Sequence, residues 1–302
     1  MNKYLSVIAE AMGSNAADIK DMVVLKKGMT NCSYVFSIDN KLYILRAPGK
    51  GTEKIIDRQN ESDVYGVLKD KGISENVVYI SAANGYKISE YWVDARPCNP
   101  YDIEDVKACV GFLREIHQRD FSVNHSIDIF ERIGYYESLR EGRSSSFTDY
   151  QDTKEKIFKL KEIINMLPKD LTLAHLDAVP DNFLFVGNEI RLIDWEYAAM
   201  HDPHVDIAMF ALHSMYDREH VEKLIGFYFA DGCPYEITIK IYCYVAACGL
   251  LCSNWCEFKS LYGAEFEEYS LRQYEYAKEY YEIAVNSLCQ TPSGSLFSIR
   301  LL

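Results

Sequence analysis

Hydrophobic and polar positions change their period once along this chain. Up to about residue 90 the apolar residues alternate or run in short stretches. "MVVLKKG" (Met22 to Gly28), "SYVFSI" (Ser33 to Ile38) and "KLYILR" (Lys41 to Arg46) read as strands. Asp39-Asn40 makes a tight turn between the last two. In "DRQNESDVYGVLKDKG", Val64, Val67 and Leu68 share a helical face, with Gly72 as its stop. "NVVYI" and "GYKISEY" then flank Asn84-Gly85, a hairpin signal. From about Tyr101 the spacing is that of helices, through "IEDVKACVGFLREIHQ", "VDIAMFALHSMY", "HVEKLIGFYFA", "ITIKIYCYVAACGLLCSNWCEFK" and a tyrosine-rich segment from about Phe266 to Ala284. The pattern predicts an α+β protein with a small antiparallel β lobe carrying one helix over 1–91. A larger, mainly helical lobe over 92–302 follows, after a hinge near Glu90, Tyr91 and Trp92. The ending "TPSGSLFSIRLL" reads as a loosely attached tail.

Into this frame falls His175-Leu176-Asp177-Ala178-Val179-Pro180-Asp181-Asn182, with Asp194 twelve residues later in "IRLIDWEYA". The spacing H-x-D-x-x-x-x-N, then an apolar strand ending in Asp, suits phosphoryl transfer. A carboxylate must orient the attacking hydroxyl, and metal held by one carboxylate and one amide oxygen must neutralise the phosphoryl charge. Asp177 is the candidate base, and His175 supports the loop backbone. Asn182 and Asp194 supply hard oxygens for Mg²⁺. The alternative is an Asx-rich turn joining two strands.

Upstream, Arg46 ends a strand and Glu61 lies on the next helix, matching the strand-cation and helix-glutamate pair that grips nucleotide phosphates. Gly28-Met29-Thr30-Asn31 sits where a phosphate-covering loop belongs. "PGKG" (Pro48 to Gly51) lacks both the first glycine and the Ser/Thr of a phosphate-binding P-loop, so it is not one.

Charge and cysteines narrow the picture. With 32 basic against 45 acidic residues the net charge is −13, which argues against nucleic acid or anionic membrane and mildly favours a cationic small molecule. The N-terminal "MNKYLSVIAEAMG" reads as an amphipathic helix and not a signal peptide. No stretch reaches the ~18–20 apolar residues that span a bilayer. The nine cysteines show no disulfide spacing, so a cytoplasmic location is expected. Cys248, Cys252 and Cys256 share one helix face as small buried residues in preference to metal ligands.

"HLDAVPDN", "LIDWEYA", "DPHVDIAMF" and "YILRAPGKGT" together resemble bacterial choline kinases, within the choline/ethanolamine kinase and aminoglycoside phosphotransferase superfamily, over most of the chain from about Leu25. The resemblance implies a protein-kinase-like bilobal fold and ATP- and Mg²⁺-dependent phosphorylation of a small cationic alcohol, choline first. By the same similarity Asp177 is the catalytic aspartate, Asn182 and Asp194 bind magnesium, and Thr30, Asn31, Arg46, Glu61 and the Glu90–Trp92 hinge serve ATP. Asp206 braces the catalytic loop from below. A quaternary ammonium has no hydrogen-bond donors, so aromatic faces and a nearby carboxylate recognise it. Glu196, Tyr197, Trp255 and Tyr276 are the expected cage. The family's W-x-x-W reads here as C-x-x-W with Cys252 in first place, and Tyr216 is the substitute wall. Ethanolamine or an aminoglycoside is the alternative substrate, and a catalytically inactive pseudokinase the alternative of another class. Only eight residues separate Asp194 from Pro203, too few for a protein-kinase activation segment.

Overall fold

The structure, a computed structural model, describes residues 2–27 and 30–290. In chain order its elements begin with α1 (Asn2–Met12), β1 (Lys20–Lys27), β2 (Asn31–Ile38), β3 (Lys41–Pro48), α2 (Thr52–Ile55) and α3 (Arg58–Leu68). Next come β4 (Val77–Ile80), β5 (Lys87–Glu90), β6 (Arg96–Pro97), α4 (Ile103–His117), α5 (Ile129–Ser138) and α6 (Tyr150–Met166). Then follow β7 (Thr172–Ala174), β8 (Phe183–Val186), β9 (Glu189–Leu192), β10 (Ala199–His201), α7 (His204–His213), α8 (Arg218–Tyr228), α9 (Tyr235–Ser260) and α10 (Glu267–Cys289). The chain divides into two compact units, one of 1–98 with 181–198 and one of 99–180 with 199–302. Gly28, Met29 and the tail from Thr291 lie outside the described residues.

In the first unit β1-β2-β3-β5-β4 form an antiparallel sheet. Asp39 and Asn40 join β2 to β3 with φ of 51° and 61°. Such a left-handed pair turns the chain in two residues without splaying the strands. Side chains alternate across the sheet. Phe36, Ile38, Leu45, Ala47 and Ile88 pack on one face with Ile8 and the apolar side of α1. Arg46 and Lys87, register partners in β3 and β5, therefore emerge on the other face. That face receives α3, whose start is fixed by Asp57: its carboxylate accepts from Gln59 N–H (2.9 Å) and Asn60 N–H (3.1 Å). Glu61 thus falls in the first turn, opposite Arg46. The β8–β9 hairpin belongs to this unit because β6 pairs with β8 and Leu192 N–H donates to Ile73 O (2.8 Å).

The second unit is built around α9, against which α5, α6, α7 and α10 pack. Among the described residues α9 is the one helix long and apolar enough to cross a bilayer, at 26 residues with a mean hydropathy of 1.4 over an 18-residue stretch. That corrects the expectation that no stretch would qualify. Since 83% of its apolar window is buried within the protein, α9 is apolar on all sides because other helices surround it. At Gly249 the contact with α10 is backbone to backbone. A Cβ there would sit 2.7 Å from Gln273 O and 2.9 Å from Ala277 N. A Cβ at Gly111 in α4 meets nothing within 4 Å. Gly249→Ala is expected to destabilise the fold by about 1–3 kcal/mol through overpacking, whereas Gly111→Ala is neutral or stabilising by up to about 1 kcal/mol. Thermal denaturation of the two variants checks the contrast.

Candidate active site

The sequence-predicted residues fall in both units and are described within each. In the first unit Arg46 is buried with its guanidinium among carboxylates. Nη1 and Nη2 both donate to Glu61, the latter at 2.9 Å, and Nη2 also to Gly85 O (3.2 Å). Nη1 lies 3.3 Å from Asp194 Oδ1 and 3.4 Å from Glu196 Oε2. A second arginine joins them. Arg58 Nη1 donates to Glu61 (2.8 Å) and Glu196 (2.9 Å), and its Nη2 to Asn31 Oδ1 (3.4 Å). Asn31 Nδ2 in turn donates to both oxygens of Glu196, at 3.1 and 2.9 Å.

Two cations and three carboxylates set the electrostatics. Burial alone would raise the Glu61 pKa, yet Arg46, helped by Lys87 and Arg58, holds it down at about 2. Burial opposes the charge on Arg46 too, and Glu61 and Glu196 overcome it, so its pKa stands well above the usual arginine value. Glu196 shifts upward, from burial first and the adjacent Asp194 second. Glu61, Asp194 and Glu196 bring carboxylate oxygens within 4.8 Å of one another, a hard donor set of the kind a divalent cation takes. Asn182 reaches the same end of the β8–β9 hairpin, where Ile193 N–H donates to its backbone oxygen (2.9 Å). Asp194 follows β9 with φ 66°, a left-handed conformation that a non-glycine residue adopts under strain.

A second buried network backs this cluster. Lys87 donates to Tyr65 and Glu75, Tyr65 donates to Glu75 (2.6 Å), and Trp195 N–H donates to Tyr65 Oη (3.3 Å). The Glu90–Trp92 hinge uses part of its backbone in the sheet, since Glu90 N–H donates to Asn76 O and Tyr91 N–H to Leu42 O, both at 3.0 Å. Thr30 is half-buried, and its carbonyl oxygen would lie 2.2 Å from a Cβ at Gly49. Gly49 in "PGKG" is therefore present for close backbone approach, not as part of a P-loop.

In the second unit β7 and β10 pair antiparallel and deliver the His175–Asp177 loop, Ala174 opposite Ala199. Asp206, in the first turn of α7, accepts His175 N–H and Leu176 N–H, each at 2.7 Å. Its carboxylate also meets His117 Nε2 at 3.0 Å. Burial would raise its pKa, but these hydrogen bonds hold it below the usual value, so it stays ionised. His175 is fully buried and its Nδ1 accepts Asp177 N–H at 3.2 Å, a loop-supporting position. Leu176 has φ 63°, so the loop is strained where it presents Asp177. His213 Nε2 stands 3.7 Å from Asp177 Oδ1, and His213 Nδ1 is 3.0 Å from the Tyr269 hydroxyl.

The expected cage residues have different surroundings within their own units. Glu196 is a buried member of the Arg46–Arg58–Asn31 cluster, because two guanidinium groups and an amide satisfy its carboxylate. Tyr197 is half-buried in the turn closed by Ala198 N–H to Trp195 O (3.2 Å). Tyr276 is wholly buried, donates to Tyr216 O (2.6 Å) and carries Arg272 over its ring at 4.0 Å. Tyr216 is buried beside Tyr101 and donates to Pro100 O. Both are core residues, with polar tips engaged by backbone carbonyls. Trp255 is half-buried and packs on Phe266, centroids 5.5 Å apart. Cys252, one turn earlier, is buried, and burial raises its thiol pKa. Sequence reasoning passed over Arg58, His213 and Tyr269. A cation three residues before Glu61 was the available signal for the first. The other two had none beyond residue type.

A family model described as choline/ethanolamine kinase matches residues 22–228. Protein LicA of Haemophilus influenzae is 24% identical over 265 residues, covering 83% of this chain and 77% of that protein. Choline kinase LicA from Streptococcus pneumoniae has a crystal structure similar to this one at TM-score 0.82 and 28% identity, covering 93% of this chain and 98% of that one. A structure of LicA in complex with AMP gives TM-score 0.81 at 27% identity with the same coverage. The kinase-like α+β fold expected from the sequence is therefore the fold of this chain.

Glu61 gives a test independent of turnover. Its folded pKa of about 2 lies below the ordinary glutamate value of 4.5, so its ionised form stabilises the fold above the unfolded pKa, and that stability is lost as pH falls towards 2. Glu61→Gln is expected to lower the denaturation midpoint at pH 7 and to flatten the loss of stability between pH 4.5 and 2, read by chemical denaturation across that range.

Proposed function

Because the chain belongs to the choline/ethanolamine kinase family, a family of phosphotransferases acting on an alcohol group, we propose that it phosphorylates choline with ATP, giving phosphocholine and ADP. The observation that carries this reading is the loop of Asp177. A buried, ionised Asp206 holds two successive N–H groups of that loop, and the strained Leu176 presents the carboxylate. Such bracing supports a base that must keep one orientation while a neutral hydroxyl becomes a nucleophile.

In this mechanism Asp177 accepts a hydrogen bond from the choline hydroxyl and directs its oxygen at the γ-phosphorus. As the O–P bond forms, the bond to the ADP oxygen breaks, and Asp177 takes the hydroxyl proton late. Arg46, steadied by Glu61, serves the nucleotide phosphates. Its planar fork suits paired phosphate oxygens better than a lysine ammonium would. Asn31, Thr30 and the Glu90–Trp92 backbone are assigned to the nucleotide. Mg²⁺ fits the oxygen donors Asn182 and Asp194, and when bound it neutralises charge on the transferring phosphoryl group. Trp255 with Phe266 supports choline as the acceptor, since aromatic faces attract a cation that lacks hydrogen-bond donors. Glu196 is withdrawn from the substrate role.

A coupled assay of ADP release across choline, ethanolamine and an aminoglycoside is expected to give the highest kcat/KM with choline. A preference for either of the others would overturn the substrate assignment. Asp177→Asn is expected to cut kcat by about 10²–10⁴-fold, the usual worth of a positioned base, with nucleotide binding by calorimetry retained.

A further inference from the structure

Asp177 has a neighbour that the mechanism above does not use. His213 ends α7, the side chain only 12% exposed, and its Nε2 lies 3.7 Å from Asp177 Oδ1. Its ring lies near-parallel to Tyr269, centroids 6.0 Å apart, with Nδ1 at 3.0 Å from the phenol oxygen. Burial lowers the His213 pKa to about 4, so near neutrality the imidazole carries one proton.

Chemistry fixes the direction of this chain of groups. An ionised carboxylate only accepts, so the single imidazole proton belongs on Nε2, facing Asp177. Nδ1 is then an acceptor, and the Tyr269 hydroxyl must donate to it. Tyr269 and His213 thus form a one-way line of donors ending at Asp177.

We propose that His213, with its tautomer set by Tyr269, is a positioning residue for Asp177. It fixes one carboxylate oxygen so that the other faces the substrate hydroxyl. The proposal rests on the reading of Asp177 as the base. At 3.7 Å the contact is longer than a hydrogen bond, and catalytic contacts of this kind tighten when substrate binds. Neutrality is essential to the role. An imidazolium would lower the basicity of Asp177 and repel a cationic acceptor, whereas a neutral N–H orients the carboxylate without either cost.

The test compares two amides in the full-length enzyme with ATP, Mg²⁺ and choline. The Gln side chain of His213→Gln places an N–H near the position of Nε2, whereas that of His213→Asn reaches only that of Nδ1. We expect His213→Gln to keep kcat within about threefold and His213→Asn to lose about tenfold or more, with KM for choline and ATP little changed, as for a group acting on the base alone. Tyr269→Phe is expected to lower kcat alone but to add nothing to His213→Asn, because it acts through the imidazole. Equal kcat for the two amide variants, or a rise in choline KM at unchanged kcat, would overturn the proposal. Additive loss in the double variant would do the same. Asp177→Asn, assayed beside them, separates the two readings. If it retains turnover the base itself is misassigned, and if it is inactive while His213→Asn is normal only the positioning role fails.

Discussion

Arg46 is buried with its guanidinium against Glu61, Asp194 and Glu196, and the first unit is arranged to make that burial tolerable. An unpaired buried charge is costly, whereas a hydrogen-bonded one is not. β3 puts Arg46 on the face opposite the hydrophobic core by simple alternation. Asp57 caps α3 so that Glu61 stands in its first turn. Arg58 and Asn31 then satisfy the remaining oxygens of Glu196, which would otherwise be an uncompensated carboxylate. Removing any one member strands another, so the cluster is a unit and not a set of separate contacts.

The second unit solves a parallel problem at the loop of Asp177, the base proposed above. That loop must adopt a conformation that costs energy at Leu176. Asp206 absorbs that cost by accepting two backbone donors, and His117 and the helical packing around α7 keep Asp206 itself charged and buried. Structural carboxylates behind a catalytic one are a recurrent means of fixing geometry without adding charge at the reacting atoms.

Much of this was readable from residues in order. The Asp39-Asn40 turn and the Arg46 and Glu61 pair follow from local rules, namely turn conformation, strand alternation and helix position, whereas the Asp206 brace was implied by the family resemblance. Less legible was which face a residue takes within a crowded region. Glu196 was expected at the substrate because it follows Asp194. The fully buried Trp195 between them and the arginines across from it were not legible as a reason for it to turn inward. Tyr276 and Tyr269 lie seven residues apart on the same face of α10, and sequence could not say which one ends against the catalytic loop. His213 carried no signal beyond its residue type. α9 was hidden differently, because polar residues interrupt its apolar positions although an 18-residue stretch of it has a high mean hydropathy.

The central claim is that this chain moves a phosphoryl group from ATP to the hydroxyl of choline. Phosphorus NMR of the enzyme with ATP, Mg²⁺ and choline follows every phosphorus in the reaction at once. The account predicts a phosphomonoester signal at the position of phosphocholine growing in equal amount with ADP. Growth of ADP with inorganic phosphate and no phosphomonoester would contradict it.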